Sequence, residues 1–413
     1  MKLTRNQFLK TLGFASAAVA GGDAIGSAVC GDSYDGRQTP SLTQRKESAE
    51  DIMLGVSLYS YQHAFYTGEM TLEDSLAELN SIGAKGVQII DEITVPNFPN
   101  PSEQWVDHWF EMCDKYKLTP TNMDAFVDIY WGWRHKPMNL QEQVETLTTR
   151  LKLAKRLGFT VVRPTSGSVS EPVGQLFEKI VPIAEALNIK VTPELHAPIP
   201  LKANGQFVGG ILETIHKTGT KHLGFTLDLG DLPLPFSRER SIKYGDLTGD
   251  IAAYIDNAKA RGIAVEEVQA KIKNMNPKQG DLSYLNRVYG IKPFGGGTGA
   301  APAGGGAVPQ GAPPGGMGGM MMNFENDPKD VLPLLPYIYN VHGKFYKMTE
   351  DLVETTLDYE GAFKALVEGG YKGSIDSEYE GQRNLQNQWC EPVNEVEQVR
   401  RHHLMMRRLL GRV

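Results

Sequence analysis

From about residue 53 to the C-terminus, short apolar runs rich in Val, Ile and Phe alternate with longer stretches whose apolar residues recur every three or four positions. The first pattern is that of a buried strand, the second that of an amphipathic helix. Residues 53–61 read as a strand and 71–82 as a helix with Leu72, Leu76 and Leu79 on one side. A strand at 86–90, a helix at 102–116 and a strand at 118–127 follow. Then come a helix at 140–157 stopped by Gly158, a strand at 159–163 and a helix at 173–187. Ile189 opens the fifth strand, and a helix at 211–217 ends at Gly219. The last three strands fall at 223–228, 337–342 and 373–378, with a helix at 359–368 before the eighth. A closing helix over 396–413 places Val396, Val399, His403, Met406 and Leu410 on one face and leaves Arg400, Arg401, Arg407 and Arg408 to solvent. Alternating strands and helices imply a parallel sheet, and eight such repeats predict an α/β fold of the (β/α)8 TIM-barrel type. A doubly wound open sheet is the competing architecture.

One interruption breaks the alternation. Residues 232–330 form an insertion between strands six and seven, mixed and partly helical over 232–289, with 251–260 as its clearest helix. Within it, 295–322 is almost entirely Gly, Ala, Pro and Met, a composition that cannot bury enough apolar side chain to fold alone. This predicts a partly disordered excursion. Its glycines follow no strand and open no helix, which argues against a nucleotide-binding loop.

The strand ends carry the candidate chemistry. In the fifth strand Thr192, Glu194 and His196 alternate and so project to one face. Two ionisable groups in an apolar strand need compensation for their burial. Strands six, seven and eight end in the same way, with Asp228, His342 and Glu378. Three carboxylates and one imidazole suit one hard divalent ion, Mn²⁺, Mg²⁺, Co²⁺ or Zn²⁺. The active sites of TIM barrels lie at the C-terminal ends of the strands, where all four residues fall. The candidate bases are Glu194, Glu378 and His196, and an imidazole titrates closest to neutral pH; as an alternative, His196 orients or caps its neighbours. Lys344 and Arg163 either hold substrate oxygens or pair with carboxylates. Glu380 shares the face of Glu378, and Tyr59, Tyr61 and Trp131 offer sugar-stacking surface or core.

Charge and termini narrow the setting. Of 413 residues, 42 are basic and 49 acidic, a net charge of −7 that disfavours nucleic acid as a partner. Cys30, Cys113 and Cys390 are too few and too scattered for a disulfide framework or a zinc ribbon. The basic head of residues 1–10, the small apolar run of 12–20 and the small-x-small site Ala18-Val19-Ala20 predict an export signal within 1–30, followed by a linker at 31–50 and the barrel over 51–413. The run is too short for a transmembrane helix. Thr4-Arg5-Asn6-Gln7-Phe8-Leu9-Lys10 is similar to a twin-arginine signal with Asn6 in place of the second arginine, and a general secretory route is the alternative. Either predicts a periplasmic protein. Val29 before Cys30 argues against a lipoprotein anchor.

With Glu194, Asp228, His342 and Glu378 at these strand ends, the chain resembles the xylose isomerase-like TIM barrels, which include sugar isomerases and epimerases, inosose dehydratase and endonuclease IV. The resemblance runs from about Met53 to the C-terminus, the insertion excepted. The motifs Val341-His342-Gly343-Lys344-Phe345 and Ser377-Glu378-Tyr379-Glu380-Gly381 look closest to the catalytic subunits of C-glycoside deglycosidases and 3-keto-glycoside lyases. Endonuclease IV is disfavoured, because its trinuclear zinc site needs further histidines and the strands at 86–90 and 118–127 contain none. The resemblance implies a divalent-metal-dependent sugar isomerase or epimerase that abstracts a proton next to a carbonyl through a metal-stabilised enediolate. The alternatives are a metal-dependent lyase cleaving 3-keto-glycosides or C-glycosides by β-elimination, and a non-catalytic exported sugar-binding barrel. The expected partner is a small-molecule sugar or glycoside, with a homo-oligomer or an accessory subunit left open.

Overall fold

The computed structural model describes residues 49–127, 130–131, 136–165, 174–197, 199–291, 326–381 and 394–412. The expected export signal at 1–30, most of the expected linker at 31–50 and the Gly/Pro/Met segment at 295–322 lie outside these residues.

The barrel strands are β1 (Met53–Ser57), β2 (Gly86–Ile90), β3 (Thr119–Ala125), β4 (Val161–Pro164), β5 in two pieces (Lys190–Val191 and Glu194–Leu195), β6 (Phe225–Asp228), β7 (Ile338–Phe345) and β8 (Ser374–Tyr379). All their pairings are parallel. The first piece of β5 pairs with β4 and the second with β6, so the two ends of the sheet order are halves of one strand. A bridge from Val191 to Leu223 joins them, and the sheet closes into the expected TIM barrel. Pro193 causes the break in β5, because it lacks the N–H that a continuous ladder requires.

Helices α1 (Leu72–Ser81), α2 (Glu103–Tyr116), α3 (Leu140–Leu157), α4 (Gln175–Leu187) and α5 (Gln206–Thr218) follow the first five strands in turn. Their ends are set locally. Thr71 with Asp74 and Asn139 with Glu142 make reciprocal capping boxes, and Gly158 ends α3 at φ 85°. Trp109 of α2 fills the layer between helices and strands, with Nε1 donating to the Leu157 carbonyl at 3.0 Å.

Two expectations need revision at the edges. The first strand ends at Ser57, whose Oγ accepts from the Tyr59 amide, and 58–61 turns as a 3₁₀ helix over the barrel mouth. The fifth helix starts at Gln206, five residues before the expected 211, because Gly209 and Gly210 dilute the helical signal without stopping a helix that buries Val208, Ile211, Leu212 and Ile215.

The described part of the insertion up to residue 291 is largely helical. Helices α6 (Arg238–Lys243), α7 (Gly249–Ala260), α8 (Val265–Lys273) and α9 (Gln279–Tyr289) surround a core of their own, built from Ile251, Ile255, Val268, Ile272 and Leu285. A 3₁₀ segment, Pro328–Tyr337, packs on α10 (Tyr359–Glu368), and α11 (Glu395–Leu409) completes the outer layer. Val399, His403 and Met406 of α11 are buried as expected. So is His402, which lies 2.9 Å from Ser377 Oγ and 2.7 Å from the Tyr359 hydroxyl. Among the described residues, no helix is long and apolar enough to cross a membrane.

Branched aliphatic side chains usually fill the interior of such barrels. Here much of it is polar: Ser57, Gln88, Asn122, Asp124, Thr192, Thr226, Asn340 and Asp376 are all buried. Asp376 accepts from Asn340 Nδ2 at 2.7 Å and Thr121 Oγ1 at 3.0 Å, and burial pushes its pKa up to about 6. A Cβ at position 55 would stand 2.0 Å from Asp376 Oδ1, so the polar floor dictates glycine on β1.

Candidate metal centre and the cleft above it

Strand register assembles the cluster. On β6, β7 and β8, His342 stands beside both Asp228 and Asp376, and Lys344 stands beside Glu378. Glu194 pairs with Thr226, two residues before Asp228. Glu194, Asp228, His342 and Glu378 are all buried and each offers a ligand atom within 4.8 Å of the others. His342 Nδ1 lies 2.7 Å from Glu194 Oε1 and 3.2 Å from Glu378 Oε2. A buried set of three carboxylates and one imidazole, with ligand atoms this close together, fits a hard divalent ion.

Cations already crowd this cluster. Lys344 Nζ lies 2.8 Å from Glu378 Oε2, 3.0 Å from Glu380 Oε1 and 3.3 Å from Asp228 Oδ2. Arg163 Nη1 is 3.6 Å from Glu194 Oε2, and its Nε is 3.0 Å from Asp124 Oδ1. Burial alone would raise both glutamate pKa values. For Glu194, Arg163 and His342 outweigh it, and for Glu378, His342 and Lys344 do so, holding both below the usual carboxylate range. Asp228 differs: burial pushes it up to about 6 against the pull of Lys344 and His196. His342 is driven the other way, since Glu378 and Glu194 overcome burial and raise its pKa well above that of free imidazole.

His196 stands at the edge of this cluster. Its Nδ1 is 2.7 Å from the Ala197 carbonyl, which can only accept, so Nδ1 carries a proton. Nε2 is then the nitrogen turned to the site, 3.7 Å from Asp228 Oδ2. Thr192, expected on the same face, is instead engaged by the Val162 carbonyl and Thr226.

A cleft opens above the cluster, lined by Tyr59, Phe126, Arg163, Thr165, Glu194, His196, Lys344, Glu378 and Glu380. Tyr59 donates to Glu380 Oε1 at 3.0 Å. The same tyrosine forms one wall of a second, apolar slot made by Leu58, Phe65, Tyr66, Ile90 and Ile93. Tyr59, Arg163, Glu194, His196, Asp228, His342, Lys344, Glu378 and Glu380 therefore meet at one end of the barrel. Tyr61 is fully buried and belongs to the core, and the side chain of Trp131 lies outside the described residues.

Sequence reasoning missed Gln88, Asn122 and Asp124, which surround the far side of His342. The signal was present: Asp124 stands near the C-terminal end of β3, the position that singled out the four ligands. It also missed Asp231, a buried carboxylate just past β6 with neither oxygen hydrogen-bonded among the described residues. Burial, then Asp228 and Glu194, push its pKa up and favour the neutral acid.

No protein-family model matches the chain. It is 27% identical over 376 residues to a 3'-dehydrocarminate deglycosidase alpha subunit of Microbacterium sp., spanning 87% of this chain and 96% of that protein. It is 25% identical over 372 residues to a C-glycoside deglycosidase alpha subunit of Arthrobacter globiformis, spanning 87% of this chain and 92% of that protein. Among solved structures, L-ribulose 3-epimerase aligns over 87% of this chain and 95% of its own, with a TM-score of 0.49 and 10% identity. The resemblance carried by the strand-end residues and the two motifs around His342 and Glu378 thus extends along most of the chain.

Proposed function

We propose that this chain is a divalent-metal-dependent, sugar-processing enzyme that removes a proton next to a carbonyl, and that the reaction is elimination of an aglycone from an oxidised glycoside. Glu194, Asp228, His342 and Glu378 would hold the ion. When bound, it would supply Lewis-acid polarisation of substrate oxygens.

The chain's own residues do the rest. His196 Nε2 takes the proton, because Nδ1 is committed to the Ala197 carbonyl. Arg163 and Lys344 hold negative charge developing on oxygen, and Glu380 fixes Lys344 and Tyr59. In a glycoside whose keto group lies two carbons from the glycosidic carbon, the C–H electron pair becomes a C=C bond. The aglycone then leaves with its bonding pair and takes up a proton. An apolar aglycone would lie against the apolar surface of Leu58, Phe65 and Ile93 beyond Tyr59.

The observation that carries this reading is one imidazole lining the cleft, His196 with Nε2 3.7 Å from Asp228, beside two restrained glutamates. Epimerisation at a carbon needs proton delivery to both faces, and Glu194 and Glu378 are each tied to cations. The similarity to deglycosidase alpha subunits supports the same choice and an accessory subunit as partner. Isomerisation or epimerisation, the expectation drawn from the resemblance, shares the proton abstraction and differs in where the electron pair goes. Export to the periplasm remains part of the proposal, resting on residues 1–30.

Incubating metal-loaded protein with ketoses, glycosides and 3-keto-glycosides tests it. Aglycone release with an unsaturated or hydrated keto-sugar is the expected result. Equilibrating epimers without release would overturn elimination, and sugar binding without proton exchange in D₂O would make the chain a binding protein.

A further inference from the structure

We infer that Asp124, outside the ligand set, is a positioning residue that fixes which nitrogen of His342 can take a metal while anchoring Arg163 over the cleft. The inference rests on the metal reading above.

The geometry around His342 is one-sided. Nδ1 is the nitrogen among the ligand oxygens, at 2.7 Å from Glu194 and 3.2 Å from Glu378. A nitrogen that binds metal gives up its proton, so the ring proton then sits on Nε2. In a fully buried ring that N–H requires an acceptor. Two groups face Nε2: Asn122 Nδ2 at 3.5 Å and Asp124 Oδ1 at 3.6 Å.

Asn122 cannot serve. Its amide nitrogen also lies within 3.3 Å of Gln88 Oε1, Asn340 Oδ1 and Asp124 Oδ1. Flipping the amide would set its oxygen against three acceptors, so the group facing His342 is a donor. Those neighbours are oriented in turn, since Gln88 Nε2 donates to Asp124 Oδ2 at 2.8 Å and Asn340 Nδ2 donates to Asp376. Asp124 is left as the acceptor. Its Oδ1 lies 3.6 Å from Nε2, and Arg163 Nε at 3.0 Å compensates its buried charge.

One carboxylate thus touches both a metal ligand and a residue that lines the substrate cleft. Asp124→Asn can present an amide N–H to Nε2, which favours the tautomer protonated on Nδ1 and closes that nitrogen to metal. Losing such a supporting carboxylate typically costs about 10–100-fold in metal affinity.

The test uses Zn²⁺ alone, in chelator competition on the full chain. Wild type is expected to bind Zn²⁺ and Asp124→Asn to bind it at least about tenfold more weakly. A second readout, which a merely structural role would not move, is ¹⁵N NMR of the imidazoles in the Zn²⁺-loaded wild type. His342 should show Nδ1 bound to metal and Nε2 protonated. Equal Zn²⁺ affinity in a folded Asp124→Asn, or metal on Nε2 in the wild type, overturns the inference and leaves the metal reading standing. Absence of Zn²⁺ binding by the wild type overturns both. If the variant fails to fold, the wild-type spectrum decides alone.

Discussion

The two halves of the barrel divide the work. Strands β5 to β8 carry the four ligand-type side chains, and strands β1 to β4 carry Ser57, Gln88, Asn122, Asp124 and Arg163. In the ligand half, buried oxygens of Asp228 and Glu378 share the Lys344 ammonium at 3.3 and 2.8 Å. In the supporting half, Gln88 Nε2 reaches both Ser57 and Asp124, and Asn122 Nδ2 meets several acceptors. The ligand half gathers three carboxylates round an imidazole and an ammonium, whereas the supporting half is held together mainly by amide hydrogen bonds. A change in the ligand half should therefore remove function without unfolding the barrel. A change in the supporting half should alter both.

The largest effect that would sharpen this contrast comes from the ligands. His342→Ala and Glu378→Gln are each expected to abolish turnover and to cut metal affinity beyond the roughly 10–100-fold typical of supporting residues. Circular dichroism should remain that of the folded barrel. Normal metal content in both purified variants would mean that the ligand set is wrong. Next comes His196→Gln, which leaves the ligand cluster intact. Metal content should be unchanged and kcat should fall by about 10²–10⁴, the usual worth of a general base. Unchanged turnover would reduce His196 to a residue that only orients its neighbours.

A smaller effect, set by pH, tests the charge balance of the ligand half. The pKa of His342 is raised in the folded protein because Glu378 and Glu194 outweigh burial, so the metal-free protein holds that proton at neutral pH. A metal ion on His342 must displace it, and affinity should climb by about tenfold per pH unit below that pKa. The stability of the metal-free protein runs the other way. A raised histidine pKa contributes stability that is full below the unfolded value, about 6.5, and is lost as pH rises through the folded value. Metal affinity that is flat across this range would show that His342 is already neutral before metal binds.

How much of this was legible depends on how local the cause is. The bounds of α3, Leu140–Leu157, follow from Asn139, Glu142 and Gly158, all within a few residues of the ends they set. β2, Gly86–Ile90, is a continuous apolar run with one polar residue and was equally plain. The clustering of Glu194, Asp228, His342 and Glu378 was legible because an ionisable group at the end of an apolar strand is locally anomalous. Asp124 carries the same anomaly, yet strands two and three were judged by their lack of histidine. That Lys344 sits between Glu378, Glu380 and Asp228 was not legible, because it depends on the register of three strands. The insertion's separate core was hidden for a similar reason: Ile255 and Val268 meet only once their helices fold back on each other.

The smallest effect concerns the two recesses that share Tyr59. The polar cleft holds the charged groups, whereas the slot beside it is walled by Leu58, Phe65, Ile90 and Ile93, with Tyr66 largely exposed at 64%. If the sugar occupies the first and the aglycone the second, truncating a slot wall removes contact with the aglycone alone. Tyr66→Ala should then raise KM for an aryl glycoside by roughly five- to tenfold, the worth of about 1–1.4 kcal/mol of apolar contact. Its kcat should stay the same, because binding lost equally from ground and transition states leaves the chemical step untouched. KM for the corresponding methyl glycoside should not move, since a methyl group does not reach past Tyr59. Equal changes for both glycosides would place Tyr66 in the support of the mouth as a whole, and no change for either would separate the slot from the substrate path.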